Sequence, residues 1–273
     1  MEFEFEDDPL RARVPAMPGA VRVADTSQLH LALTPHLTSP AYVRRVVMQL
    51  LDAGLVGRVP RGRTWVWHLT QTGRRALVEA GAPERRRAAT GEAALRSGLA
   101  AHALTVTATA IEFARHGWSE ITDWAVEVAH PIEGGRVTTD AVLTLEHRWL
   151  WVEVDRRSMA EWRLIRKVAA YGRYATHRVH VGPRRLQGST RPAWQAAYPG
   201  PRCPSVLVVL AGAGRPVLDR RSDRVMKAAL KVLAVRDGAL IVNICRLGAL
   251  REHGPDATIW ANSAGILRRG ADR

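Results

Sequence analysis

Hydrophobic positions recur along this chain with two different periods, and the switches between them mark out its elements. From Ser39 to Val56, "SPAYVRRVVMQLLDAGLV" places Val43, Val46, Val47, Leu50 and Leu51 at helical spacing, while Arg44, Arg45 and Gln49 fall away from that stripe. Ser39 suits the N-cap, Pro40 the first helical position, and Gly54 stops the helix. A shorter helix, Thr26 to Leu33, precedes it. "GLVGRV", the turn "PRGR" and "TWVWHLT" then change to period two, with Thr64, Val66 and His68 alternating against Trp65, Trp67 and Leu69. That predicts a hairpin whose tip carries Arg58, Arg61 and Arg63, before "TQTGRRALVEAG" returns to a helix.

"AGAPERRRAATGEAALRSGLA", Ala80 to Ala100, mixes Gly, Pro and an arginine run and reads as a linker or an exposed connecting helix. Beyond it the pattern is α/β. A helix over Ala101 to Gly117 is followed by the alternating segment "ITDWAVEVAH", a turn at Gly134 and Gly135, a strand from Val137 to Leu145 and a second strand, "WLWVEVD", from Trp149. The expected organisation is a tail over 1–24, a first domain over 25–82, a linker over 83–100 and a second domain over 101–273. The fold class is α/β (α+β).

The last of those strands carries a problem. Glu153 and Asp155 lie on one side of a strand built from Trp149, Leu150, Trp151, Val152 and Val154. Carboxylates so placed repel each other and are costly to desolvate. If the hairpin loop holds an even number of residues, such as His147 and Arg148, Asp140 falls opposite Asp155 with Glu153 beside it. Three carboxylates on one face require protons, arginines or a divalent cation. The next helix, "SMAEWRLIRKVAAYGRY", opens with a capping box of Ser158 and Glu161 and takes Trp162, Leu164, Ile165, Val168 and Ala169 as its apolar face. Lys167 flanks that face beside Tyr171, within reach of the sheet. Arg156, Arg157, Arg163 and Arg173 are alternative partners for the acids.

Charge narrows the partners. The 40 basic residues outnumber 26 acidic ones, and five of the acids (Glu2, Glu4, Glu6, Asp7 and Asp8) precede Pro9. Without those five the balance is +19, the footprint of a protein that meets a polyanion. Only Lys167, Lys227 and Lys231 are lysines; coding bias explains arginine over lysine but not base over acid. No apolar run reaches the roughly 18 residues that span a bilayer. The acidic N-terminus is unlike a secretory signal, and Cys203 and Cys245 have no metal-ligand spacing, so a reduced, cytoplasmic, nucleoid- or plasmid-associated protein is expected. The histidines show no zinc spacing, and "LAGAGRP" lacks the third glycine and the lysine of a phosphate loop.

Helix, helix, β-hairpin, helix over 25–82 resembles a winged helix-turn-helix domain, and "LLDAGLVGRV…WVWHLTQTGRRAL" is similar to the wing region of many bacterial members. The resemblance implies that Tyr42, Arg44, Arg45 and Gln49 face the major groove of double-stranded DNA while Arg58, Arg61 and Arg63 hold phosphates or the minor groove. Helix, strand with Asp, strand with Glu, helix over 101–273 resembles the PD-(D/E)XK nuclease-like fold. That resemblance implies Mg²⁺ or Mn²⁺ held by Asp140 and Glu153, with Asp155 as a further ligand where the fold ordinarily has its lysine, and Lys167 as a lysine displaced to the helix. The phrases "GLVGRV…WHLTQTGRRAL", "AHALTV", "DWAVE", "TTDAVL", "WVEVDRRSMAEWRLIRKVAAYGRY" and "YPGPRCPSVLVVLAG" together look like the replication-relaxation proteins of actinobacterial and other bacterial plasmids and integrative elements. Membership implies replication or mobilisation, with relaxosome or replication proteins as partners. It leaves three readings open: a DNA-binding accessory protein, a metal-dependent endonuclease or nickase using Asp140, Glu153 and Lys167, and a transcriptional regulator. Winged-helix proteins often bind as homodimers on two half-sites, and no coiled-coil segment here declares one.

Overall fold

The computed structural model describes residues 9–81, 99–132, 134–146, 148–157, 160–180 and 190–263. It is a mixed α/β protein of two compact units, Met1–Val126 and Glu127–Arg273.

In the first unit the order is α1 (Pro9–Val21), β1 (Val23–Asp25), α2 (Thr26–Leu33), α3 (Ala41–Asp52), β2 (Val56–Arg61), β3 (Thr64–Leu69), α4 (Gln71–Glu79) and α5 (Ala100–Arg115). The strands form an antiparallel sheet in the order β1-β3-β2. Helix α1 corrects the expectation of a tail to residue 24. Glu2 to Asp8 lie outside the described residues, but from Pro9 onward the chain is helical and buries Val14, Met17, Ala20 and Val21. Pro15 and Pro18 hid this helix: each removes a backbone donor and costs helix stability, so only burial of the apolar face sustains it.

Helix α2 has the expected bounds, and Asp25 and Gln28 close a capping box at its start. In α3 the cap falls one residue later than expected, at Pro40, with the Ser39 hydroxyl accepting from the Ala41 amide at 3.2 Å. Val43, Val46, Val47 and Leu50 are buried as the stripe requires. The β2–β3 hairpin turns through Gly62 and Arg63, with Arg61 opposite Thr64. Its base meets the first turn of α4 so closely that a Cβ on Gly73 would lie 2.0 Å from the Leu55 carbonyl oxygen, which only glycine avoids.

Helix α5 was expected to open the second domain. It packs instead within the first unit: Thr107 Oγ1 donates to the Val23 carbonyl at 2.6 Å, and Gln28 Nε2 to the Leu104 carbonyl at 2.8 Å. Ala100 and Leu104 join Val23 and Val66 in one buried cluster. Most of the expected linker, residues 82–98, lies outside the described residues, and the boundary between units falls between Val126 and Glu127.

The second unit is built on a six-stranded sheet in the order β11-β10-β9-β6-β5-β4. Its strands are β4 (Trp124–Ile132), β5 (Gly135–Leu145), β6 (Arg148–Asp155), β9 (Ser205–Leu210), β10 (Val242–Arg246) and β11 (Ala261–Asn262). A separate two-stranded ribbon pairs β7 (Arg178–His180) with β8 (Thr190–Pro192). Strand β6 runs antiparallel to β5 and parallel to β9, which is in turn parallel to β10. Parallel neighbours need crossovers, and these carry α6 (Glu161–Thr176) and α7 (Arg215–Ala229), which pack side by side; α8 (Leu233–Arg236) and α9 (Leu247–His253) complete the unit. Trp151, Val206, Val208 and Ile244 from the sheet share one core with Leu164, Val168, Leu218 and Val225 from the helices.

Two expectations for α6 change. Ser158 lies outside the described residues; the helix starts at Glu161 behind Ala160, two residues later than expected. Trp162 is 52% exposed. The buried stripe of α6 runs through Leu164, Val168, Tyr171 and Ala175, and a residue two before Leu164 points about 200° away from it.

Candidate functional site

The β5–β6 ladder ends at Ala141 opposite Val152. One residue beyond, the Asp140 carboxylate takes the amide of Val154 through Oδ2 at 2.8 Å, satisfying a backbone donor at the end of the ladder. The turn begins after Leu145, which pairs with Arg148, so the loop is even but lies one residue earlier than His147–Arg148. That shift moves the register by two positions and leaves the acids on one face. Asp140 therefore meets Glu153, not Asp155.

Helix α6 supplies the counter-charge. Lys167 Nζ donates to Asp140 Oδ1 at 3.3 Å and to Glu153 Oε2. One turn later, the Tyr171 hydroxyl donates to Glu153 Oε1 and hydrogen-bonds Thr139 Oγ1 at 3.0 Å. The Glu153 side chain is 3% exposed, whereas Asp140 and Lys167 keep 18% and 21%, so a ligand meets the cluster from the Asp140 and Lys167 side. Burial pushes the Glu153 carboxyl up to about 8, and the neighbouring Asp140 charge adds to this against the opposing pull of Lys167 and Tyr171. Burial acts to lower the Lys167 ammonium, but the charges of Glu153 and Asp140 outweigh it and the net direction is upward. Tyr171 is held far above the usual phenol range, first by burial and then by Glu153.

The polar chain continues inward. Thr139 Oγ1 lies 2.7 Å from His130 Nε2, and His130 stacks on Tyr174 with ring centroids 5.1 Å apart. Burial keeps that imidazole neutral, lowering it to about 4. The sequence reading missed Thr139, His130 and the role of Tyr171. Thr139 adjoins Asp140, and strict alternation would send one of them to the other face; the ladder's end lets both reach the cluster. Tyr171 was findable, since it lies four residues from Lys167 and so on the same helical face.

Asp155 goes elsewhere. Its Oδ2 accepts from Arg221 Nε and its Oδ1 from the Arg157 amide at 2.9 Å. Arg221, on α7 and itself buried, also reaches Glu161 at 3.5 Å, and Arg224 pairs with the same carboxylate. The arginine that answers Asp155 was thus none of the four the sequence offered. It comes from a helix that the parallel β6–β9 pairing brings alongside α6.

Among the described residues no group of three or more His, Cys, Asp or Glu is placed to hold a metal. Two carboxylates are nonetheless enough for Mg²⁺, which keeps most of its water. Asp140 Oδ1 and Glu153 Oε2 already converge on one cation, the Lys167 ammonium, so this pair fits such an ion and Asp155 does not join them.

In the first unit the residues expected to touch DNA are exposed. Tyr42, Arg44, Arg45 and Gln49 lie on the outer side of α3, with Arg11 donating to Gln49 Oε1 at 3.2 Å. Arg61 and Arg63 sit at the hairpin turn, while Arg58 stacks 4.2 Å over the exposed ring of Trp65 and contacts Met48 Sδ at 3.6 Å. Trp65 was read only as an alternating strand position. A large exposed aromatic among arginines is the signal that would have singled it out.

Fold and site thus define a two-unit α/β protein with a buried acid–lysine cluster in its second unit. The chain belongs to the replication-relaxation family, whose model matches residues 19–190, more than half of the sequence. No curated protein and no solved structure matches it. Membership ties the chain to replication or mobilisation. No helix among the described residues is long and apolar enough to cross a membrane.

Proposed function

We propose that the chain binds DNA during the replication or mobilisation of a plasmid or integrative element and carries a metal-dependent centre for phosphodiester cleavage at Asp140, Glu153 and Lys167. The observation that carries this reading is the convergence of two carboxylate oxygens and one ammonium, from β5, β6 and α6, at a cluster open on one side. In the PD-(D/E)XK nuclease-like fold that the sequence over 101–273 resembles, those are the groups the chemistry uses. The first unit's order of helix, strand, two helices and hairpin, with arginines exposed on α3 and the turn, supports a winged helix docked on double-stranded DNA.

Asp140 and Glu153 would hold Mg²⁺ or Mn²⁺, which when bound polarises a phosphoryl oxygen and lowers the pKa of coordinated water. Lys167 is partly exposed and would place its positive charge against the scissile phosphate. Tyr171 fixes the Glu153 carboxylate from behind, and Val154 fixes that of Asp140. Burial holds the Glu153 carboxyl upward, so binding a metal there should displace its proton and should weaken as pH falls.

Supercoiled plasmid incubated with the protein in Mg²⁺, Mn²⁺ or EDTA, beside Glu153→Ala and Lys167→Ala, tests this. Metal-dependent nicking or linearisation that both substitutions abolish is the expected result. A second reading is favoured by the way Lys167 bridges both carboxylates: the cluster is a structural charge knot, and the chain is an accessory DNA-binding protein. DNA shifted on a gel but never cut in either metal would select that second reading.

A further inference from the structure

A groove of about 800 Å³ opens beside the cluster, between the start of β5 and the outer side of α6, and Lys167 forms part of its wall. The rest of its charged lining is all of one sign: Arg136, Arg163, Arg166 and Arg173. All four are exposed, and among the described residues none has a carboxylate within ion-pair distance. Trp162 stands at the same groove, 52% exposed, with the Arg163 and Arg166 guanidinium carbons 5.3 and 5.4 Å from its ring centroid.

We infer that this groove binds unpaired, single-stranded DNA, with the arginines on its phosphates and the Trp162 ring stacked on a base, and leads the strand to Lys167. Uncompensated guanidinium groups call for a polyanion, and planar ones match phosphate. An indole left in water amid those groups calls for something with a flat apolar face as well, and an unpaired base attached to a phosphate supplies both. Duplex DNA offers phosphates but keeps its base faces stacked away. At about 800 Å³ the groove has room for one or two nucleotides of a strand. The inference rests on the proposed phosphodiester centre for its direction, since that centre lies at the groove's wall, but binding itself needs no cleavage.

The test is fluorescence anisotropy of labelled oligo(dT) and of a labelled duplex of equal length, titrated with the full chain in EDTA. Trp162 is exposed, so substituting it leaves the core intact. We expect Trp162→Ala to weaken oligo(dT) binding about tenfold, the scale of one lost base–aromatic stack, and duplex binding less than twofold. Trp162→Phe should recover most of the loss. Arg163→Ala with Arg166→Ala should also lower the salt dependence of oligo(dT) binding, whereas Arg44→Ala with Arg45→Ala should act on the duplex instead. Equal losses on both probes, no loss with Trp162→Ala, or tighter binding of oligo(U) than of oligo(dT) would overturn the inference. Because EDTA removes cleavage, a failure here is distinct from a failure of the plasmid assay.

Discussion

Glu153 and Asp155 are two residues apart on the same face of the same strand, both almost fully buried, and the protein treats them in opposite ways. Asp155 receives a buried arginine and a backbone amide, so its charge is answered on both oxygens. Glu153 receives a lysine it must share with Asp140 and a phenol that also bonds Thr139. The first arrangement fixes its carboxylate between a guanidinium and a backbone amide. The second leaves the carboxyl pushed upward by burial, beside the Lys167 wall of an open groove. The difference teaches that burial alone does not set the state of a carboxylate; the completeness of its compensation does.

The largest expected effect tests the Asp155 side. Arg221→Ala strands a buried carboxylate and should cost about 3–5 kcal/mol in urea unfolding. A loss under 1 kcal/mol would mean that Asp155 is not held as an ion pair, and the contrast with Glu153 would collapse. Glu153→Gln should be milder, because burial pushes the wild-type carboxyl up to about 8 and the amide imitates its neutral form. Its folded-state value lies above the unfolded one, so the native state binds the extra proton, and stability falls as pH rises from about 4.5 through 8. Thermal melts in EDTA should show that fall, at most about 1.4 kcal/mol per pH unit, and Glu153→Gln should flatten it. An unchanged slope in the variant would place the titrating group elsewhere.

Tyr171→Phe is expected to act more gently. The hydroxyl bonds both Glu153 and Thr139, at about 1 kcal/mol each, and its loss removes an influence that holds the Glu153 carboxyl down, so the end of the pH-dependent fall should move upward. If the same melts showed no displacement, the phenol would not be acting on Glu153. Smallest of all should be Arg224→Ala. This arginine pairs with Glu161 but is open to water, where such a pair contributes little, and the melting temperature should stay within error of wild type. A clear drop would mean that the outer arginine also supports Asp155 through the shared Glu161.

How far the sequence foretold this contrast depends on the range over which each contact acts. Helices α2 and α3 and the β2–β3 hairpin were legible because their periodicity and turn residues are local. The convergence of Asp140, Glu153 and Lys167 was legible too, since a hairpin and the next helix suffice to build it. The Arg221 partnership was not, because nothing near Asp155 encodes the parallel pairing of β6 with β9 that brings α7 into reach. Helix α1 was hidden by its prolines, and α5 by an apolar face that fits either unit equally well in sequence. The exposure of Trp162 could have been found by rotating the helix about its Leu164–Val168–Tyr171 stripe instead of grouping every apolar residue on one face.

The two compensations also differ in when a refolding chain can reach them. Glu153 is 14 residues from its lysine, and Asp155 is 66 from its arginine. Loop-closure entropy makes the longer connection harder to form by about 1.4 kcal/mol, before any sheet exists to guide it. In kinetic terms the Lys167 contacts belong with the early, local structure, and those of Arg221 with the late docking of β9 and α7. Substituting Arg221 should therefore chiefly speed unfolding, whereas disturbing Lys167 should slow the approach to the native state.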